Sequence, residues 1–64
     1  MMAPCYTTDK NQAERCIRAS VDRTTITEVF GAVTVTGQVQ SVVDHRDATP
    51  RNWSITFIEA ITRG

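Results

Sequence analysis

The sequence predicts an α+β fold in which a short N-terminal helix packs on a small, curled antiparallel β-sheet. Three observations lead to this prediction. The 64 residues include no Leu, whereas Val, Ile and Thr together account for 22 of them, and side chains branched at Cβ lose freedom in a helix but pack well on a pleated sheet. The apolar residues within 9–21 recur at spacings of three and four, as on one face of a helix. Apolar and polar residues alternate within 33–43, as they do along a strand.

A chain of this length predicts one small domain, 1–64, with residues 1–8 loosely ordered. Seven Lys and Arg balance seven Asp and Glu, so any attraction for phosphate has to come from local arrangement rather than net charge. No apolar run reaches the roughly 20 residues of a membrane span. The first ten residues lack a basic region followed by an apolar stretch, so we expect a cytoplasmic protein without membrane contact.

Residues 9–21 fit a helix of about three turns, with Asp9 or Asn11 as the N-cap. The predicted apolar face consists of Ala13, Cys16, Ile17 and Val21. A strand over the second half of this segment is the alternative, because apolar and polar residues also alternate there.

Residues 24–31 predict a short helical turn. Thr25 and Glu28 have the spacing of a capping box, and Gly31 suits the left-handed position after a helix. The alternative, a strand, would put Glu28 on the same face as Ile26 and Phe30.

The clearest prediction is a long, bent hairpin formed by residues 32–43 and 53–59. Its first strand has an apolar face, with only Val42 out of phase, and Gly37 predicts a bulge or bend. The inward-facing residues of the two strands are Val33, Val35, Val39, Val43, Trp53, Ile55 and Phe57.

The connection between these strands, residues 44–52, is longer than most hairpin loops and is the predicted binding site. Guanidinium groups bind phosphate or carboxylate in a bidentate manner, and an indole can stack on a base. The candidate ligand-binding residues here are His45, Arg46, Arg51, Asn52 and Trp53. For Trp53 the alternative is a core position, since it continues the face of Ile55 and Phe57. For Arg46 the alternative is a surface pairing with Asp44 or Asp47, which would contribute little to stability.

Arg15 and Arg18 are one helical turn apart and complete the candidate set as possible phosphate contacts. The alternative is a solvated helix face of mixed charge.

The residue types argue against an enzyme and against a bound metal. A structural zinc site needs four ligands, whereas Cys5, Cys16 and His45 supply three. One His flanked by Asp44 and Asp47 is no more than any small domain contains. We therefore predict no catalytic residues, no metal and no cofactor.

The spacing of Val35, Gly37, Val39 and Ser41, followed by Trp53, Ile55 and Phe57, is similar to the start of small barrels of the OB type. Such a barrel needs five strands, so a minimal SH3/OB-like all-β barrel is the alternative fold, and no family is assigned.

These features predict a small non-enzymatic module that binds nucleic acid through a basic and aromatic loop. The alternative is a protein-interaction module, an adaptor or small inhibitor, that acts through an exposed strand edge or the 44–52 loop.

Two strands alone are marginal in water. A homodimer is therefore predicted, with a second copy covering the strand edges or the apolar face of Val33, Val35, Ile55 and Phe57.

Overall fold

The computed structural model describes residues 4–64 as one helix and four strands. In chain order the elements are β1 (Cys5–Thr7), α1 (Lys10–Asp22), β2 (Thr25–Phe30), β3 (Val33–His45) and β4 (Asn52–Arg63). The strands form one antiparallel sheet in the order β1-β4-β3-β2. The sheet curls into a half-barrel with α1 packed on one face. The α+β class is therefore confirmed, and the alternative of an all-β barrel is wrong because α1 supplies part of the core.

The predicted helix is present and has a conventional start and end. The Asp9 side chain accepts hydrogen bonds from the backbone N–H groups of Asn11 (2.9 Å) and Gln12 (3.4 Å), which satisfies two donors that lack helical partners. Arg23 takes the left-handed conformation (φ 56°) at the other end. Its N–H and that of Thr24 both donate to the carbonyl of Ala19.

The buried face of α1 differs from the prediction. Gln12, Ala13, Cys16 and Ala19 are buried, whereas Ile17 and Val21 are 43% and 75% exposed. Three of the buried side chains are small, which lets the helix approach the sheet closely. The polar side chain of Gln12 can be buried because its amide donates a hydrogen bond of 2.7 Å to the carbonyl oxygen of Val29 in β2.

Residues 24–31 do not form a helical turn, and that prediction is wrong. Thr25–Phe30 is a strand that pairs in register with β3. Glu28 does lie on the same side of β2 as Ile26 and Phe30, where it binds Gln12 and Arg15 of α1. A carboxylate at an inward position is stable because its charge is paired and hydrogen-bonded.

Gly31 begins the tight turn between β2 and β3 rather than ending a helix. Phe30 and Val33 are paired across a two-residue connection, and Gly31 has a φ of 64°. A two-residue hairpin favours glycine with positive φ at its first turn position, because this geometry matches the twist of the strands.

Two β-bulges bend the long hairpin, and the one in β3 explains the out-of-phase valine. Between the pairs Val39–Phe57 and Ser41–Thr56, β3 contains one residue more than β4. The extra residue reverses the alternation, so Val42 packs against the core and Val43 is 51% exposed.

The second bulge is in β4, opposite Gly37. Here β4 contains the extra residue, between Ile58 and Ile61, and Glu59 has a φ of 51°. A Cβ on Gly37 would be 2.8 Å from the Cβ of Ala60 and 2.9 Å from its Cα. The predicted bend at Gly37 is therefore present, and glycine is required there by the close approach of Ala60.

The apolar face of the hairpin is covered by α1 of the same chain. The central cluster consists of Cys16, Ala19, Val35, Val39, Ile55 and Phe57, with Val33 and Phe30 packed at its edge. Phe30 and Phe57 meet edge to face, with ring centroids 6.0 Å apart. The prediction that a second copy covers Val33, Val35, Ile55 and Phe57 is therefore wrong for this face.

The N-terminal segment was expected to be loosely ordered. Residues 1–3 lie outside the described part of the chain, and Cys5–Thr7 forms the edge strand β1. The hairpin strands also extend further than the predicted 32–43 and 53–59, to 33–45 and 52–63. Across residues 4–64, no helix combines the length and the apolar character needed to cross a bilayer.

Candidate functional site

The predicted loop is shorter in the structure, since residues 46–51 connect the strands, while Asp44, His45 and Asn52 belong to them. The five candidates from His45 to Trp53 therefore gather at this end of the hairpin. Arg15 and Arg18 belong to α1 and have separate partners. The structure thus divides the seven predicted site residues into two groups.

At the hairpin end, Asp44 is the common partner of both arginines. Arg51 donates from Nε to Asp44 Oδ1 (3.1 Å) and from Nη2 to Oδ2 (2.5 Å). Arg46 donates more weakly to the same carboxylate (3.4 Å) and is 80% exposed. The hydrogen bonds from Arg51 are the main reason that the pKa of Asp44 is lowered. Both guanidinium groups are thus engaged by a carboxylate within the chain.

Trp53 is only 5% exposed, which agrees with the core alternative. The guanidinium carbon of Arg51 lies 4.9 Å from the centroid of the Trp53 ring, a distance typical of a cation–π contact. An incoming base could stack on this indole only if Arg51 and the neighbouring core moved.

His45 and Asn52 make contacts within the hairpin. His45 Nε2 and the Ser54 hydroxyl are 2.5 Å apart, and the Asn52 amide donates to the carbonyl of Pro50 (3.2 Å). A catalytic serine needs a base that is itself oriented, and donors for an oxyanion. In residues 4–64 no acidic side chain is hydrogen-bonded to His45.

On α1, Arg15 and Arg18 border a shallow surface depression together with Asn11 and Glu14. Arg15 is held by two hydrogen bonds to Glu28, whereas Arg18 is 87% exposed and lies 4.0 Å from Asp22. The hydrogen bonds from Arg15 are the largest cause of the lowered pKa of Glu28. This group is a mixed-charge helix face and is not a cluster of free cations.

The two thiols differ in their surroundings. Cys16 is fully buried, and burial raises its pKa to about 11. Cys5 is partly exposed, and burial raises its pKa as well. Over the described ranges there is no group of three or more His, Cys, Asp or Glu side chains placed to hold a metal ion.

The segment Ile58–Arg63 of β4, which we call the β4 edge, is a feature that the sequence-based site did not include. β1 pairs only with Trp53–Ile55. Among the described residues, β4 beyond this pairing has a strand neighbour on the β3 side alone. Ile58 and Ile61 are 41% and 62% exposed there. The signal was the pair of β-branched residues Ile61 and Thr62 after Glu59, which the bulge puts out of phase with the preceding alternation.

The opposite edge of the sheet, formed by β2, is different. Its Val29 carbonyl already accepts a hydrogen bond from Gln12, and Glu28 beside it is bonded to α1. Helix α1 therefore occupies part of the β2 edge, which leaves the β4 edge as the more accessible one.

No protein-family model, curated protein or solved structure matches this chain.

Proposed function

We propose that the chain is a non-enzymatic protein-interaction module that binds a partner by adding the partner's strand to the β4 edge. The observation that carries this proposal is that β4 continues to Arg63, whereas β1 pairs with it only as far as Ile55. A strand edge offers unpaired backbone N–H and C=O groups, which a second strand can satisfy.

The direction of these backbone groups follows from the hairpin. A two-residue turn closes on a hydrogen-bonded pair, here Phe30 and Val33. The backbone groups of β3 alternate, so those of Thr34 and Thr36 are directed at their β4 partners, Arg63 and Ile61. Thr62 lies between these two, and its N–H and C=O are therefore directed away from β3.

The first-ranked prediction, nucleic-acid binding, has weaker support at the predicted site. Both arginines of the connection are bonded to Asp44, and Trp53 is buried. Residues 44–51 contain two Asp and two Arg, so their formal charge is balanced with His45 neutral. Binding driven by phosphate contacts needs an excess of cations.

A cytoplasmic location remains part of the proposal. Cys5 and Cys16 are free thiols, and persistent free thiols are typical of a reducing compartment.

The sharpest test replaces a single backbone donor. Thr62→Pro removes the outward N–H. Since this N–H is directed away from β3, no hydrogen bond within the sheet is removed, and proline is tolerated at such edge positions. Thr62→Ala is the matched control, since it removes the side chain and keeps the N–H. Association with a partner should survive Thr62→Ala and be lost in Thr62→Pro, and the Thr62 amide should gain protection from hydrogen exchange on binding. Equal association of both variants would reject strand addition at this edge.

Nucleic-acid binding is tested by titrating the wild-type chain with mixed oligonucleotides at two salt concentrations. We expect no binding at the lower concentration. Binding that falls steeply with salt and is lost in an Arg46→Ala, Arg51→Ala double variant would replace the proposed function.

A further inference from the structure

Building on the proposed strand addition, we propose that the partner strand is β4 of a second copy of this chain. The two β4 strands would run antiparallel, with the two-fold axis beside Ile61. The pairing would join two four-stranded sheets into one continuous sheet and is an isologous contact.

Charge complementarity is the first argument for a second copy. When Ile61 faces Ile61 of the second copy, Arg63 of each copy lies at the end of the pairing beside the bulge that contains Glu59 of the other copy, and the symmetry gives this pair twice. Neither Glu59 nor Arg63 forms an ion pair within the described part of the chain, and both are exposed. Opposite charges at facing positions of antiparallel strands stabilise the pairing, whereas like charges oppose it.

Backbone geometry is compatible with the same register. Thr62 directs its N–H and C=O away from β3, and Ala60, two residues earlier, lies at the next position of the same alternation. In the proposed register Thr62 faces Ala60 of the second copy, so outward groups meet outward groups. If the register shifted by one residue, the outward N–H and C=O groups of one copy would lie opposite N–H and C=O groups of the other copy that are already bonded to β3.

The side chains on the solvent-facing side of the sheet fit a contact with an identical strand. Ile61 is 62% exposed on this side, and the pairing places it against its own symmetry mate. The bulge at Glu59 limits the regular pairing to a few residues. The buried area is therefore below the roughly 800 Å² per partner of a standard interface, and we expect a reversible dimer that depends on concentration.

The test is a charge exchange measured by sedimentation over a wide range of protein concentration. Glu59→Arg puts two positive charges opposite each other in the homodimer, and Arg63→Glu puts two negative charges there. Each single variant should dimerise at least about tenfold more weakly than the wild type. An equimolar mixture of the two variants restores opposite charges at both positions, so it should form a heterodimer of about wild-type affinity. Arg18→Glu on the exposed side of α1 is the matched control and should leave dimerisation unchanged.

Two further measurements keep the outcome clear. Far-UV circular dichroism and tryptophan fluorescence establish that each variant is folded, and the exchange rate of the Thr62 amide in the wild type should fall as concentration rises. A wild type that is monomeric at every concentration, or variants whose mixture does not recover association, would overturn the dimer. If the wild type is monomeric but still binds another protein in a Thr62→Pro-sensitive manner, the inference fails and the proposed function stands. If Thr62→Pro changes no association at all, both fail.

Discussion

Arg15 and Glu28 are joined by two parallel hydrogen bonds, Nε to Oε2 and Nη2 to Oε1, each 3.0 Å long. The Arg15 side chain is 56% exposed, whereas that of Glu28 is only 11% exposed. Gln12 donates to the same carboxylate (3.1 Å). This contact ties α1 to β2 and allows an acidic residue to occupy an inward position of a strand.

Replacing Glu28 should therefore destabilise the fold. Glu28→Ala leaves the buried Gln12 amide with one partner fewer and removes the link to Arg15, so we expect a loss of about 1–3 kcal/mol in the free energy of unfolding. Urea denaturation followed by circular dichroism measures this change. The matched control is Arg18→Ala, whose partner Asp22 is 4.0 Å away at the surface, and its effect should stay within about 0.5 kcal/mol. Equal effects of the two substitutions would contradict the role of Glu28.

Stability should fall on acidification because of the same carboxylate. The hydrogen bond from Arg15 lowers the pKa of Glu28 below its ordinary value near 4.5. The folded state therefore favours the ionised form, and this stabilisation is present above the ordinary value and is lost as the pH falls below it. Glu28→Gln should flatten the dependence of the urea midpoint on pH in this range. Arg15→Ala should flatten it too, although the carboxyl group remains, because the cause of the shift is removed. An unchanged pH profile in both variants would argue against the pairing.

The close approach of β3 and β4 at Gly37 should make that position intolerant of a side chain. Gly37→Ala places a Cβ within 3 Å of Ala60, so we expect a destabilisation of about 1–3 kcal/mol. Adding Ala60→Gly removes one of the two clashing atoms and should recover part of the loss. The unfolding free energies of the two single variants and the double variant measure this coupling. Strictly additive effects would show that the two residues do not contact each other.

Trp53 should behave as a buried indole. Its exposure of 5% predicts fluorescence emission at shorter wavelength than in the unfolded chain, together with poor quenching by acrylamide. Arg51→Ala uncovers the ring face that Arg51 contacts and should increase quenching without unfolding the protein. Arg46→Ala is the control, because Arg46 shares the Asp44 partner of Arg51. Strong quenching of the wild type would contradict the core position of Trp53.

The predicted and observed structures agree where a pattern repeats within one element. Helix α1 was predicted from a cap at Asp9 or Asn11 and from spacings of three and four residues. The hairpin follows from alternation over residues 33–43 and 53–59. Such periodic patterns identify the type of element, and they can be read without knowing what that element packs against. They did not fix the buried face of α1, where Ile17 and Val21 are exposed.

Of the candidate site, the group from His45 to Trp53 does gather at one end of the hairpin, as its place in the chain suggests. The pairing of Arg46 with Asp44 agrees with the alternative predicted for Arg46. The pairing of Arg51 with Asp44 was not apparent, since it depends on how the strand ends lie side by side. Arg15 was predicted to face solvent or phosphate, but its partner Glu28 is 13 residues away in the chain. The β4 edge was missed because the bulge at Glu59 interrupts the alternation on which the strand boundary was based.

By itself, the sequence predicted a helix within residues 9–21 and a long bent hairpin with a valine-rich inner face, because these depend on local spacing. Only the tertiary structure decided that residues 25–30 are a strand, that Val42 rather than Val43 faces the core, and that β4 reaches Arg63. The physical reason is that each of these outcomes depends on a partner distant in the chain. Glu28 is stable on an inward face only beside Arg15 and Gln12, and the bulges exist only relative to the opposite strand.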